Sequence, residues 1–289
     1  PVQIEHPDCI RYCGLTITGI KVGPSPDWLK NSLAAIGVKS INNIVDITNY
    51  ILHEYGQPLH AFDYDRIAER KIIVTKLPAD TSFIALDDKT IKLHQDDLMI
   101  CDGLRNPMCM AGVYGGKYSS VTDQTTAIYL ESAHFSAQSI RKTSMRHNLR
   151  TDAAKVFEKG SDPAVTINAL KRAAILICDL AGGRVSSDIE DIYPHKVEPT
   201  EVVVRYDRIR KLIGFPFSEE SIHNILSALE MGGRKLDHDR VMVTVPTSKV
   251  DVFREVDVIE EILRIYGFDN VSLPEKINSS VAYSQSPNR

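Results

Sequence analysis

Residues 71–132 contain the runs 71–77 (KIIVTKL), 82–87 (SFIALD), 90–93 (TIKL), 97–102 (DLMICD) and 127–132 (AIYLES). Each is short, rich in β-branched or aliphatic residues, and set off from the next by Asp, Asn, Pro or Gly. The stretch therefore reads as a mostly antiparallel sheet. Upstream, residues 12–20 (YCGLTITGI) add a strand, and Ser25-Pro26 starts a helix that runs to Ala35 and stops near Gly37. Ile44, Ile47 and Ile51 recur at helical spacing, with Gly56 closing that helix. After the strands, 136–180 is helical in texture, and its periodic part 165–180 ends at Gly182-Gly183. The class is α+β: a mixed, largely antiparallel sheet domain with helices.

The stretch 192–199 (IYPHKVEP) holds two Pro and no periodicity, and marks a domain boundary near residue 195. A smaller unit follows: strand 201–205, helices 206–213 and 219–229, strands 232–237 and 241–245, and helix 254–266. That order predicts a small winged-helix-like α+β module over 196–275, followed by a polar linker over 276–289. A length of 289 residues suits two domains at about 150 residues each. With 43% apolar and 25% charged residues, a disordered chain is excluded.

No apolar run approaches the ~20 residues of a membrane-spanning helix, and residues 1–10 are too polar for a secretory signal. No membrane association is expected. The missing initiator Met suggests a segment of a longer chain. Five Cys without a CxxC pair fit free thiols in a reducing cytoplasm better than a zinc site. The net charge is −4, with 21 basic against 23 acidic residues up to His195 and 13 against 15 beyond. Neither part is a bulk polycation, so nucleic acid can be met only through local patches.

Five segments carry candidate chemistry. In 42–63 (NNIVDITNYILHEYGQPLHAFD), Asp46, Asn49 and His53 fall on a polar helix face opposite the Ile stripe. After the helix, 57–63 reads as a short rigid loop in which Pro58 fixes φ and Leu59 and Phe62 anchor the chain, presenting His60. A His so held can orient a water or a ligand hydroxyl, and its plain alternative is a hydrogen-bonded structural His. Residues 111–118 (AGVYGGKY) fail as a phosphate loop: the Gly spacing is one short, and Tyr118 replaces the Ser or Thr. Three Gly there instead permit close approach of backbone or a small ligand. Alternation in 127–135 (AIYLESAHF) sends Ile128 and Leu130 to one face and Tyr129 and Glu131 to the other. From position alone, Glu131 is an exposed strand-end acid. Residues 141–160 form a +4 island with Arg141, Lys142, Arg146 and Arg150, able to meet a phosphate backbone or simply to face solvent. In the last predicted helix, Val256, Ile259, Leu263 and Tyr266 form the buried stripe. Asp251, ahead of that helix, and Asp257, Glu260 and Glu261 on it fall within eleven residues; hard oxygen ligands suit Mg²⁺, and ordinary surface charge, with a Glu260–Arg264 pair, is the plain alternative.

Taken together, SINNIVDITNYILHEYGQPLHAFD, AGVYGG, YLESAHF, RHNLRTDAAKVFEKG and VDVIEEILRIYGFDN resemble the beta subunit of bacterial phenylalanyl-tRNA synthetase, in that family's order and over most of the chain. The resemblance implies an internal fragment: a tRNA-editing domain over 1–195, then the small DNA-binding-like module. It implies hydrolysis of the ester in mischarged Tyr-tRNA(Phe), within a class II enzyme that attaches Phe to tRNA(Phe) with ATP. Glu131 would recognise the Tyr hydroxyl through a charge-assisted hydrogen bond. His60, Thr48 and Asn49 would line the same pocket, Gly115 would leave room for the amino acid, and Thr151 and Ala153 would set pocket size. The four C-terminal acids would hold Mg²⁺ in a site shared with the alpha subunit. Implied partners are that alpha subunit and a second beta subunit, in a heterotetramer of two of each, together with the 3′ end of tRNA(Phe) and Tyr. Met145 and Asn148 stand where the family usually has Arg and Gly, and Lys249 where Arg is common. Two other readings are a non-catalytic RNA- or DNA-binding module and an inert structural part of the hetero-oligomer.

Overall fold

The computed structural model describes residues 1–271; the linker expected over 276–289, and the last residues of the second module, lie outside the described residues. The chain divides into two compact units between Glu198 and Pro199, inside the Pro-containing stretch 192–199.

The first unit begins with β1 (Val2–Ile4), β2 (Cys9–Thr18), α1 (Asp27–Ala35), α2 (Asn43–Tyr55) and β3 (Leu59–Asp63). Seven strands follow: β4 (Ile72–Lys76), β5 (Ser82–Ile84), β6 (Thr90–Lys92), β7 (Leu98–Cys101), β8 (Pro107–Met110), β9 (Tyr114–Gly115) and β10 (Ala127–Phe135). The unit closes with α3 (Ala137–His147), α4 (Asp152–Phe157), α5 (Thr166–Ala181), β11 (Arg184–Val185) and β12 (Glu190–Ile192).

The strands expected to form one sheet are divided. One sheet has the order β1-β4-β7-β8-β9, antiparallel except for the parallel β1–β4 pair. A second has the order β11-β2-β10-β3, with β12 also on β2, and is antiparallel throughout. β5 and β6 pair separately. The run 127–132 therefore belongs with β2, more than a hundred residues earlier, and local texture carries no signal of that partner. The segment 57–63 is also not a loop: from Leu59 it is β3, an edge strand paired to β10.

The second sheet is covered on both faces. Leu15, Ile17 and Leu130 point to a core shared with Ile44, Ile47 and Ile51 of α2 and with α5. The three Ile are fully buried, each contributing about 1.5–3 kcal/mol. Tyr12, Phe62, Tyr129 and Phe135 point the other way, into a core shared with Ile100 and Met110 of the first sheet. The faces divide as the alternation in 127–135 predicts.

α2 begins where Asn42 accepts hydrogen bonds from the amides of Ile44 and Val45 at 3.1 and 2.9 Å. It ends at Gly56 with φ 68°, a conformation that favours glycine. Asp46 is not on a solvent face. It is fully buried and accepts from Ser25, Ser40 and the Ile41 amide, because the α1–α2 connection folds back over it.

The second unit has β13 (Thr200–Arg205), α6 (Tyr206–Ile213), α7 (Glu219–Ala228), β14 (Gly232–Lys235), β15 (Arg240–Val245) and α8 (Glu255–Tyr266). Its sheet, β13-β15-β14, is antiparallel. Val202 and Val204 with Val241, Val243 and Val245 build a core against the three helices. Ser218 caps α7 by accepting from the Ser221 amide at 3.1 Å. The buried stripe of α8 is Val258, Ile259 and Ile262, with Val256, Leu263 and Tyr266 only partly covered. The expected stripe is rotated, which brings Asp257 into the buried set. The chain is thus α+β, with largely antiparallel sheets and a small winged-helix-like module after the first unit.

Candidate functional site

Glu131 lies mid-strand on β10, directly opposite His60 of β3 and Gly14 of β2. Opposite residues of antiparallel strands project to the same face with Cβ atoms about 5 Å apart. β10 continues to Phe135 and is flanked on both sides, so Glu131 is 5% exposed and not a strand-end acid. Both side chains line one cavity of about 110 Å³, together with Gly115, Thr151, Ala153 and Phe157.

Each lining group is fixed by its own element. Thr151 caps α4, accepting from the Ala154 amide at 3.1 Å, and donates to the Val113 carbonyl at 2.8 Å, which ties α4 to the glycine segment. A Cβ on Gly115 would lie 2.9 Å from His60 Cε1 and from Leu86 Cδ1, so any side chain there intrudes on the imidazole. A Cβ on Gly116 would lie 2.4 Å from the Met108 carbonyl oxygen, the close backbone approach expected of this segment. Phe62 packs edge-on against His60 with ring centroids 4.5 Å apart.

Burial pushes the His60 imidazole down to about 4, so it is neutral at physiological pH, and its Nε2 is buried with no hydrogen-bond partner among the described residues. Burial pushes the Glu131 carboxyl up to about 8, opposed by the Tyr12 hydroxyl, which donates to Oε2 at 3.3 Å. The acid is therefore largely protonated at pH 7, and the charge-assisted bond that the resemblance implies is not preformed. A neutral carboxyl and a neutral imidazole facing one apolar cavity can hold a ligand hydroxyl and a water without burying a net charge.

Not every predicted residue converges there. Thr48 and Asn49 are not among the lining residues; they lie on α2, which packs on the opposite face of the sheet, and the Thr48 hydroxyl donates to the Val45 carbonyl of its own helix at 2.8 Å. In the basic island, Arg141, Lys142 and Arg150 are exposed, whereas Arg146 is ion-paired to the buried Asp97. Asp97 also accepts from Thr143 at 3.0 Å and meets His147 Nε2 at 2.6 Å. It anchors α3 to the start of β7, a role its place in the run 97–102 does not announce. Asn148 takes φ 52° at the end of α3, a left-handed position that Asn tolerates.

Two of the four C-terminal acids, Asp257 and Glu261, are held by cations of their own module. Asp257 accepts from the Arg254 amide at 2.8 Å and pairs with its guanidinium, closing the first turn of α8. Glu261 pairs with Lys249 at 3.0 Å and Arg264 at 2.8 Å; the expected Glu260–Arg264 pair gives way to this one. Among the described residues no group of three or more His, Cys, Asp or Glu is arranged to hold a metal. Asp257 and Glu261 are thereby engaged within their own module. The Cys are free thiols, with Cys9, Cys13, Cys101 and Cys109 buried. Among the described residues no helix is long and apolar enough to cross a membrane.

The chain belongs to the B3/4 domain family, whose model matches residues 8–182. A tRNA synthetase B5 domain model matches residues 202–268. The phenylalanine–tRNA ligase beta subunit of Bacteroides fragilis (strain YCH46) is 45% identical over 281 residues, 97% of this chain and 34% of that subunit. The Geobacter metallireducens beta subunit is 39% identical over 289 residues, 100% of this chain and 36% of its own length. These matches bear out the resemblance read from the sequence; the chain spans about a third of the length of the curated relatives it matches. A crystal structure of an N-terminal fragment of the Pyrococcus horikoshii phenylalanyl-tRNA synthetase beta subunit covers 92% of this chain and 74% of its own, at 16% identity and TM-score 0.44, too distant to support an argument.

Proposed function

We propose that the first unit hydrolyses the ester of mischarged Tyr-tRNA(Phe). The observation that carries this reading is the pairing of Glu131 and His60 across adjacent strands, both lining one cavity. A synthetic pocket made for Phe rejects an analogue with one added hydroxyl by only about 100-fold, so a second site is needed. A site that hydrogen-bonds the hydroxyl reverses the preference, because Phe leaves the buried polar group unpaired. Glu131 supplies that group. His60, neutral and with Nε2 free, holds the attacking water near the ester carbonyl. Backbone groups of the glycine segment and a ribose hydroxyl complete the positioning, and the ribose oxygen leaves with a proton. Exposed Arg141, Lys142 and Arg150 steer the 3′ end of the tRNA.

On this reading the chain works inside a cytoplasmic class II ligase that attaches Phe with ATP. Its partners there are an alpha subunit and a second beta subunit, with two of each in the assembly. ATP is used at their synthetic centre and not in this cavity.

The test is hydrolysis of Tyr-tRNA(Phe) and Phe-tRNA(Phe) by this chain and by its His60→Ala and Glu131→Ala variants. Tyr-ester hydrolysis should fall about 100-fold in each, an effect of the size expected for a lost positioning or recognition hydrogen bond. Hydrolysis retained by both variants, or absent in the unmodified chain, overturns the reading.

A further inference from the structure

We propose that Tyr12 is the positioning residue of this recognition site: its buried hydroxyl holds Oε2 of Glu131 and leaves Oε1 of the same carboxyl for the phenol of the ligand. The inference rests on the editing reading and adds to it a residue outside the cavity. Tyr12 sits on β2, fully buried, two residues from the Gly14 that faces Glu131. Its hydroxyl donates to Oε2 at 3.3 Å, and Oε1 has no protein partner among the described residues. Tyr12 does not line the cavity, so it can act on a ligand only through Glu131.

The floor beneath the carboxyl is filled. Tyr129, two residues before Glu131 on the same face, reaches over Gly14, where a Cβ would fall 2.0 Å from its hydroxyl oxygen. With Tyr12 on one side and Tyr129 on the other, the carboxyl faces the cavity.

The same arrangement controls the proton. The titratable groups around Glu131 are Tyr12 and Cys9 from β2, His60 from β3, Cys109 from β8 and Tyr129 from β10. All are neutral near pH 7, since burial raises the two phenols and two thiols and lowers the imidazole. The Tyr12 hydrogen bond is therefore the interaction that favours ionised Glu131, and a ligand phenol on Oε1 adds a second.

The experiment titrates L-tyrosine and L-phenylalanine calorimetrically against this chain and its Tyr12→Phe variant from pH 6 to 9. Removing the hydroxyl should weaken tyrosine binding about tenfold, the scale of one hydrogen bond to a charged group. It should leave phenylalanine binding unchanged and move the midpoint of the tyrosine pH dependence upward. Replacing Tyr12 with 3-fluorotyrosine keeps the ring and strengthens the donor, so the midpoint should move down; this arm serves if Tyr12→Phe does not fold. An unmodified chain that does not prefer tyrosine overturns both the editing reading and this role. A preference for tyrosine that neither Tyr12 replacement alters, in affinity or midpoint, overturns the positioning role alone.

Discussion

Glu131 and Glu261 are carboxylates on regular elements of one chain, and their surroundings drive them in opposite directions. Glu131 is enclosed by strands, with one tyrosine hydroxyl as its partner, and is pushed up to about 8. Glu261 lies on α8 between Arg264 and Lys249 and is pulled down to about 2. A paired carboxylate has its hydrogen-bonding capacity spent on its own fold. An under-partnered one is costly to bury and still has capacity to bind, which is the signature expected of a receiving group. The contrast also separates the two acidic features that the sequence offered as functional. The acid that looked like a strand-end charge sits in the cavity, and in the C-terminal cluster Asp257 and Glu261 are paired to arginine and lysine.

Stability measured against pH should break this comparison if it is wrong. The larger effect belongs to Glu131. The folded chain keeps its proton at a pH where the unfolded chain has lost it, so stability of the first unit falls as pH rises from about 4.5 through about 8. Glu131→Gln removes that penalty and should stabilise the first unit by about 3 kcal/mol at pH 7, with the gain vanishing near pH 4.5. Urea unfolding at both pH values checks it; a variant less stable than the unmodified chain at pH 7 contradicts the account.

Glu261 has the opposite sign and a smaller size. Its folded form is the better acid, so its contribution is fully present above about pH 4.5 and is lost as pH falls through about 2. Glu261→Gln should cost the second unit about 1 kcal/mol at pH 7, less in high salt, because Arg264 is half exposed. Equal and salt-independent losses in both variants would erase the distinction.

Much of this was legible in the sequence where the controlling interactions are local. The bounds of α6 and the close of α2 at Gly56 follow from short-range caps and apolar spacing, and they fall where the residues predict. His60, Gly115, Glu131, Thr151 and Ala153 are singled out by the family resemblance, and the fold gathers them in one cavity. What escaped depends on partners far along the chain. β3 reads as a loop because Gln57-Pro58 precedes it and its pairing partner is β10. Glu131 looks exposed because nothing nearby announces that β2 and β3 will flank it. Tyr12 looks like any strand aromatic until the register sets it beside Glu131, 119 residues away. Asp46 misleads for the same reason: its serine partners come from the α1 entry and the α1–α2 connection, not from its own helix.

The most direct measurement is the affinity of this chain for L-tyrosine against L-phenylalanine, repeated with Glu131→Ala. The unmodified chain should favour tyrosine by about 10-fold or more, as one hydrogen bond to a buried polar group implies. Glu131→Ala should bring the two affinities together while keeping the native fold. Equal affinities in the unmodified chain, or a tyrosine preference that survives loss of the Glu131 carboxyl, would contradict the account.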